Sequence, residues 1–385
     1  MKFTETLLMT PGPVQIDHET MIAGASPLLH HRTTDFSPIY TECIDLLKKF
    51  MGVKGNLFMT TSSGTGAMET AIANLFNEGE TVLNIVTGVF GVRFTQICQA
   101  FRLNTVVLKA EDGKRIEIEQ IAQALKEHPE ITGVTVTFNE TSTGVVNDIK
   151  AIGEFLADKN VMLVVDGVSA IGALPYNHED YKVDCICTAS QKGFLCPPGI
   201  GIVGLSDRAW EKAQTVKVHG VYFDLKYYKK NQDGAVPAYP WTPAINVQYS
   251  LLVSLRRIEK IGFDNYLKHY DRMASALRAA LKALNLKIFT EEKALSNVLT
   301  VFYVPEGINP KEVIKEMVEK YGIRIAGGQE QYANCLLRVA TIGNIAERDI
   351  ISTIATFEMV LKEKGALKET GAGVKAAMDY FLNNK

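Results

Sequence analysis

The chain has 385 residues, of which 46 % are hydrophobic and 22 % charged, with a formal net charge of −2. This is ordinary globular composition, with length for about two or three domains and no general electrostatic pull toward nucleic acid or an anionic membrane. No apolar run approaches the roughly 20 residues that span a bilayer.

The opening stretch, "MKFTETLLMTPGPV", has too short an apolar segment for a signal peptide, so a cytoplasmic protein is expected. Its six cysteines lack the spacing of a disulfide framework and are expected to be reduced and mostly buried. From residue 57 to 205, strand-like runs alternate with helix-like segments. "NLFMTT" leads into "SSGTGAMETAIANLF", whose apolar residues recur with helical period. "TVLNIV" precedes the helical "GVRFTQICQAFR", and "NTVVLKA" precedes the amphipathic "IEIEQIAQALKEH". "ITGVTVTF" and the helical "DIKAIGEFLADKN" follow, then the strands "VMLVVD", "DCICTA" and "GIGIVGL". Strands apolar on both faces, alternating with helices, predict an α/β fold with a mostly parallel sheet covered by helices. Such sheets bind ligands beyond the carboxyl ends of their strands.

After residue 205 the pattern changes. "SDRAWEKAQTV" predicts a helix with Ser206 as N-cap, and "KYYKKNQDGAVPAYPWTP" predicts a long polar and aromatic loop. "AINVQYSLLVSLRRIEKIG" starts a helical stretch running to about residue 283. "NVLTVFYV", "KEVIKEMVEKYG", "IRIAGG", "CLLRVAT" and "AERDIISTIATFEMVLKEKG" then predict a small strand–helix unit. The expected division is a large domain over 15–255 and a smaller α+β domain over 256–385, with 1–14 packing near the latter.

Three places carry chemistry. In "TTSSGTGAME", small hydroxyl residues and glycines join a strand to a helix, so Ser63, Gly64 and Thr65 either cradle an anion or merely start a helix. Asp166 ends the apolar "VMLVVD" and needs a partner if buried, whether as a turn acid or against a cationic ligand group. Lys192, in "TASQKGFLCPPG", lies in a turn too apolar for a solvated loop. It either snorkels to water or, desolvated, loses its charge and attacks carbonyls. A phosphate cradle, a strand-end acid and an apolar lysine together fit pyridoxal 5′-phosphate, which has an anion, a ring nitrogen and an aldehyde to be held. "GIGIVG" matches G-x-G-x-x-G literally but lies within a strand, where a dinucleotide loop does not belong. No cysteine–histidine cluster has zinc spacing.

The chain resembles the class V aminotransferases of pyridoxal-phosphate fold type I, the alanine–glyoxylate, serine–glyoxylate and serine–pyruvate group. The resemblance runs through "TPGPV", "SSGTGAMETA", "GVFGVR", "NETSTG", "VDGVSAIGALP", "SQKGFLCPPG", "WTPAINVQYSLLVSL" and "LLRVATIGN". It implies that Lys192 holds the cofactor as a Schiff base and later moves a proton, with Asp166 paired to the ring nitrogen. Val168 and Phe90 would flank the ring, Ser63, Gly64, Thr65 and Gln191 would surround the phosphate, and Thr141 would lie at the ring's polar edge. Tyr239 and Thr242 would reach the phosphate of a neighbouring subunit, making a homodimer with shared sites. Arg338 would grip the substrate α-carboxylate with its planar fork, the structural alternative being an ion pair with an acid such as Glu330.

The implied reaction is transamination of alanine or serine with glyoxylate or pyruvate. Other amino donors, 2-aminoethylphosphonate or aspartate, stay open, and Arg32 in "LLHHR" is the candidate second cation for a dicarboxylate. Pro240 and Trp241 stand where relatives vary, so the loop bears on specificity. A cysteine desulfurase of the same fold would place a histidine where Gln191 stands and would need a mobile nucleophile, whereas Cys335 lies in a strand-like run.

Overall fold

The computed structural model of the chain describes residues 5–384. Its centre is a seven-stranded sheet in the order Asn56–Thr61, Ile200–Leu205, Cys185–Ala189, Met162–Asp166, Ile131–Thr137, Thr81–Val86, Asn104–Lys109. Only Ile200–Leu205 runs against its neighbours. The uniformly apolar runs lie inside: every residue of Thr81–Val86, Met162–Asp166, Cys185–Ala189 and Ile200–Leu205 is buried. The more polar Asn104–Lys109 has no buried residue and forms an edge. Helix Gly64–Leu75 packs on the strands Cys185–Ala189 and Ile200–Leu205, and helix Val89–Ala100 packs on Thr81–Val86.

Because six strands are parallel, their carboxyl ends share one edge of the sheet. There the chain turns through Ser63, Phe90, Thr141, Asp166 and Lys192 in succession. The reversed strand makes the connection after Cys185–Ala189 a hairpin, with Lys192 in its turn.

A second, antiparallel sheet has the order Leu299–Tyr303, Leu336–Ala340, Ala326–Gly327. It lies between two hydrophobic cores. Leu299, Val301, Leu336 and Ala340 belong to the main core, while Phe302, Leu337 and Val339 join a second core with Met273, Leu277, Ile350 and Phe357. Strand alternation therefore puts Arg338 on the face of Leu336 and Ala340, toward the large sheet. The N-terminal segment is strapped across this region: Leu7–Leu8 pairs with Ile323–Arg324, Ala340 N donates to Met9 O, and Asn344 N donates to Gln15 O.

Several elements differ from the sequence reading. The expected loop begins as helix Leu225–Gln232, which buries Leu225 and Tyr228 and is capped by Asp224. The long helical stretch is two helices, Ile245–Ile261 and Phe263–Ala283, broken at Gly262, whose φ of +87° lies in the region glycine favours. "IRIAGG" divides between two sheets. Helices Ser37–Met51 and Ala372–Asn383 had no counterpart in the sequence reading. Ser206 caps Asp207–Thr215, its hydroxyl accepting from Ala209 N at 3.1 Å. The six cysteines are free, five of them buried. No helix among the described residues is long and apolar enough to cross a membrane.

Candidate active site

A cavity of about 320 Å³ opens at the carboxyl edge of the large sheet. Ser63, Gly64 and Thr65 line one side, Asp166 and Val168 the floor, and Gln191 and Lys192 another side. Phe90 and Thr141 border it as well.

The turn that carries Lys192 is tightly organised. Ser190 Oγ donates to Pro197 O at 2.7 Å and accepts from Ile200 N at 3.3 Å, closing the base of the loop. Leu195 N donates to Lys192 O at 3.0 Å. Gly193 lies backbone to backbone against Ile171 and Gly172; a Cβ there would sit 2.2 Å from Ile171 O. The lysine turn thus rests directly on the turn that follows Asp166.

Lys192 Nζ donates to Pro11 O, its only hydrogen bond among the described residues. Burial pulls its pKa down to about 8; Asp166 opposes this fall, and Arg338 and Arg93 add to it. Asp166 is 4 % exposed. It accepts from Val168 N at 3.0 Å and from Thr137 Oγ1 at 3.4 Å. Burial raises its pKa to about 6 against these hydrogen bonds.

Two helix N-termini face this edge, and they differ. Ser63 precedes helix Gly64–Leu75 in extended conformation, but its side chain makes no capping bond. Gly64 is required there: a Cβ would lie 2.5 Å from Val168 Cγ2. At helix Val89–Ala100, the fully buried Glu140 accepts from Phe90 N at 2.9 Å and Gly91 N at 3.1 Å. One positive helix end carries its own carboxylate; the other is left for an external anion. Gln191 Oε1, beside the open end, is buried with no partner.

Arg338, 8 % exposed, does not line the cavity directly. It donates from Nε to Gly327 O at 2.6 Å and from Nη1 to Thr141 O at 2.8 Å, so it stands immediately behind Thr141. Among the described residues no carboxylate forms an ion pair with it, which removes the Glu330 alternative. Burial lowers its pKa and Glu140 opposes the fall.

The aromatic loop departs from expectation. Tyr239 is 3 % exposed, stacks edge-on against Tyr40 at 4.7 Å, and donates its hydroxyl to Gln248 Oε1 at 2.5 Å. This side chain is committed to its own chain's core and is not free to reach a neighbour. Thr242 is exposed, on a segment tied to strand Asn56–Thr61 by Ala244 N donating to Thr61 Oγ1 at 3.0 Å. Arg32 is exposed and donates to Pro240 O at 2.9 Å; it is not a cavity residue.

A second basic side chain that lines the cavity beside Lys192 is Arg93, which sequence reading passed over. Its guanidinium lies 4.6 Å from the centre of the Phe90 ring and donates to Thr65 Oγ1 at 3.4 Å. Its signal was the last letter of "GVFGVR". Glu140 and Asn139 were likewise present in "NETSTG", of which only the threonine was singled out.

The sequence matches the family model described as aminotransferase class-V over residues 16–344. It is 38 % identical to an uncharacterized aminotransferase of Methanocaldococcus jannaschii, over 98 % of this chain and 97 % of that one. A relative from Anabaena cylindrica, 35 % identical over 98 % and 99 % of the two chains, is named a soluble hydrogenase 42 kDa subunit. L-aspartate–glyoxylate aminotransferase of Paracoccus denitrificans is 33 % identical over 97 % of this chain and 96 % of its own. The structure of alanine–glyoxylate aminotransferase from Nostoc superposes with a TM-score of 0.89 at 27 % identity, covering 94 % of this chain and 96 % of that one.

Proposed function

This chain belongs to the class-V aminotransferase family, and from that premise we propose that it moves the amino group of alanine or serine to glyoxylate or pyruvate. The family's cofactor is pyridoxal phosphate, and the cavity suits it: an uncapped helix end for the phosphate, a buried acid for the ring nitrogen, a desolvated lysine for the aldehyde. That three-part juxtaposition in one cavity is the observation that carries the reading. When bound, the cofactor supplies the electron sink that amino transfer requires.

In this reading, backbone N–H groups of Gly64 and Thr65, with Ser63 and Gln191, hold the phosphate. Asp166 would pair with the ring nitrogen and hold it protonated, and Val168 and Phe90, which line the same cavity, would flank the ring. Thr141 lines its polar edge. Lys192 Nζ would hold the cofactor at its aldehyde and would carry the proton at the substrate's Cα. Its lowered pKa suits both tasks, since the neutral amine is the nucleophile and the base. Arg338, whose Nη1 also donates to Gln329 Oε1 at 3.4 Å, would take the substrate carboxylate through Nη2, the one guanidinium nitrogen with no acceptor among the described residues.

Two copies of the chain form a dimer in this reading, with the exposed Thr242 reaching the partner's phosphate. Tyr239 has no part in that contact. The divisions 15–255 and 256–385 serve as cofactor-bearing and closing domains.

Aspartate as amino donor is the second reading, favoured by Arg93, a cavity guanidinium without a carboxylate partner. The desulfurase reading loses ground, since none of the cysteines lines the cavity and Cys335 Sγ is turned to Tyr332 O at 3.7 Å.

The test is a panel of amino acids assayed against glyoxylate and pyruvate. Turnover of alanine or serine ahead of aspartate supports the first reading and the reverse order the second. Absence of transamination with every donor defeats both.

A further inference from the structure

Directly behind the Lys192 turn is a second cavity, of about 290 Å³, bordered by Leu195, Ser254, Tyr266, Tyr270 and Gly343. On that side the turn, whose opposite face rests on Ile171 and Gly172, is held by a short series of hydroxyl groups. Tyr266 donates its hydroxyl to Gly193 O at 2.6 Å, on the residue following the lysine. Tyr270 lies one helical turn on and donates to the Tyr266 oxygen at 2.9 Å, with Gly343 O at 3.2 Å as the other acceptor within reach. Ser254 Oγ holds the next carbonyl, Phe194 O. Both tyrosines are buried, and burial raises their pKa values, so they remain neutral donors near neutral pH.

Helix packing alone does not require these hydroxyls. The i, i+4 spacing of Tyr266 and Tyr270 puts both rings on one face of Phe263–Ala283, where phenylalanine would fill the same space. Gly343, at the other end of the series, lies in the loop after the strand that carries Arg338. Tyr270 has a single hydroxyl proton, which serves Tyr266 or Gly343 O, so the hydroxyls lie between the segments that carry Lys192 and Arg338.

Resting on the reading of Lys192 given above, we propose that Tyr266 is a positioning residue for that lysine, with Tyr270 supporting it in series. The Tyr266 hydroxyl fixes the Gly193–Phe194 peptide, next but one to the lysine, and thereby holds Nζ in the dry part of the cavity. Without it, Gly193 O is left unsatisfied beside open space into which the turn can relax. Nζ then gains access to water, while Asp166, Arg93 and Arg338, the charged groups around it, are unchanged.

Tyr266→Phe, Tyr270→Phe and the double variant test this. For Tyr266→Phe, kcat should fall about tenfold with KM within about twofold, as expected of a misplaced reactive group. The apoprotein's capture of pyridoxal phosphate, followed by visible absorbance, should have its pH midpoint raised by about half a unit or more, because hydration favours the ammonium form. Tyr270→Phe should shift both in the same direction by less, and the double variant should match Tyr266→Phe. A Tyr266→Phe protein with unchanged kcat and midpoint overturns the proposal, as does a large fall in melting temperature with both preserved. A double variant equal to the sum of the singles overturns the series arrangement. Borohydride trapping in the wild-type protein separates the two levels: failure to label Lys192 defeats the underlying reading, whereas labelling with an unaffected Tyr266→Phe defeats only the positioning role.

Discussion

Lys192, half-buried, and Arg338, buried, are both basic side chains at this edge, neither ion-paired with a carboxylate among the described residues, and the chain holds them differently. Lys192 sits in a hairpin turn with one backbone carbonyl, Pro11 O, as its partner. Arg338 sits on a strand and is clamped by Gly327 O and Thr141 O. A buried lysine can meet the cost of desolvation by losing its proton; an arginine cannot and must find acceptors. The difference matches the division of labour proposed for them. The residue able to become neutral is the one that forms a bond, and the residue that stays charged is the one that receives an anion.

Substitutions can break this contrast. Lys192→Ala should have the largest effect, lowering turnover by about 10⁴ or more while leaving the phosphate cradle to bind the cofactor non-covalently. Borohydride should then fix no cofactor to the protein, and peptide mapping that found a label on another lysine would reassign the role. Asp166→Asn should lower kcat by on the order of 10²–10³, the scale seen when a charge-stabilising group is lost from an active site. Near-wild-type turnover would remove Asp166 from the chemistry. Arg338→Lys keeps the charge and loses the fork, so kcat/KM should drop by about 2–4 kcal/mol for every amino and keto acid. The cofactor's absorbance should be untouched. Unaltered kinetics with a large fall in melting temperature would make Arg338 a structural residue.

The smallest effect sharpens the contrast by pH. Because burial lowers the Lys192 pKa to about 8, the neutral amine is half-populated there rather than near the usual lysine value of 10.5. The rate of cofactor capture by apoprotein should rise with pH and level off above about 8. Below that point it should fall about tenfold per unit. Asp166 supports the charged form, so Asp166→Asn should move this midpoint lower still. A wild-type midpoint near 10 would show that Lys192 is hydrated and behaves as a surface lysine.

The large sheet and its site edge were legible in sequence because buried parallel strands are written as unbroken apolar runs and the chemistry lies at their ends. Ser63, Asp166 and Lys192 each follow such a run, so one sheet brings them to one cavity. Tyr239 was misread for a related reason. An aromatic residue after a polar stretch looked exposed, but helix Leu225–Gln232 folds that stretch back and turns the ring into the core. Arg93 and Glu140 were hidden within motifs from which a single neighbouring residue had been singled out. Tyr266 and Tyr270 could not be told from ordinary core positions, because periodicity identifies which face is buried and not where a hydroxyl points.

The strap at the N-terminus has a consequence for the order in which the protein is made. Residues 9–15 leave the ribosome well before their partners, which include Lys192, Ala340 and Asn344. At about 5–20 residues per second, the segment waits roughly a quarter of a minute to a minute before the last of these emerges. The large sheet has all its strands by residue 205 and can assemble during that interval. The lysine's carbonyl partner is thus made well before the lysine itself, and a nascent chain halted before residue 340 would have the Lys192 turn without the pairing of Met9 O to Ala340 N.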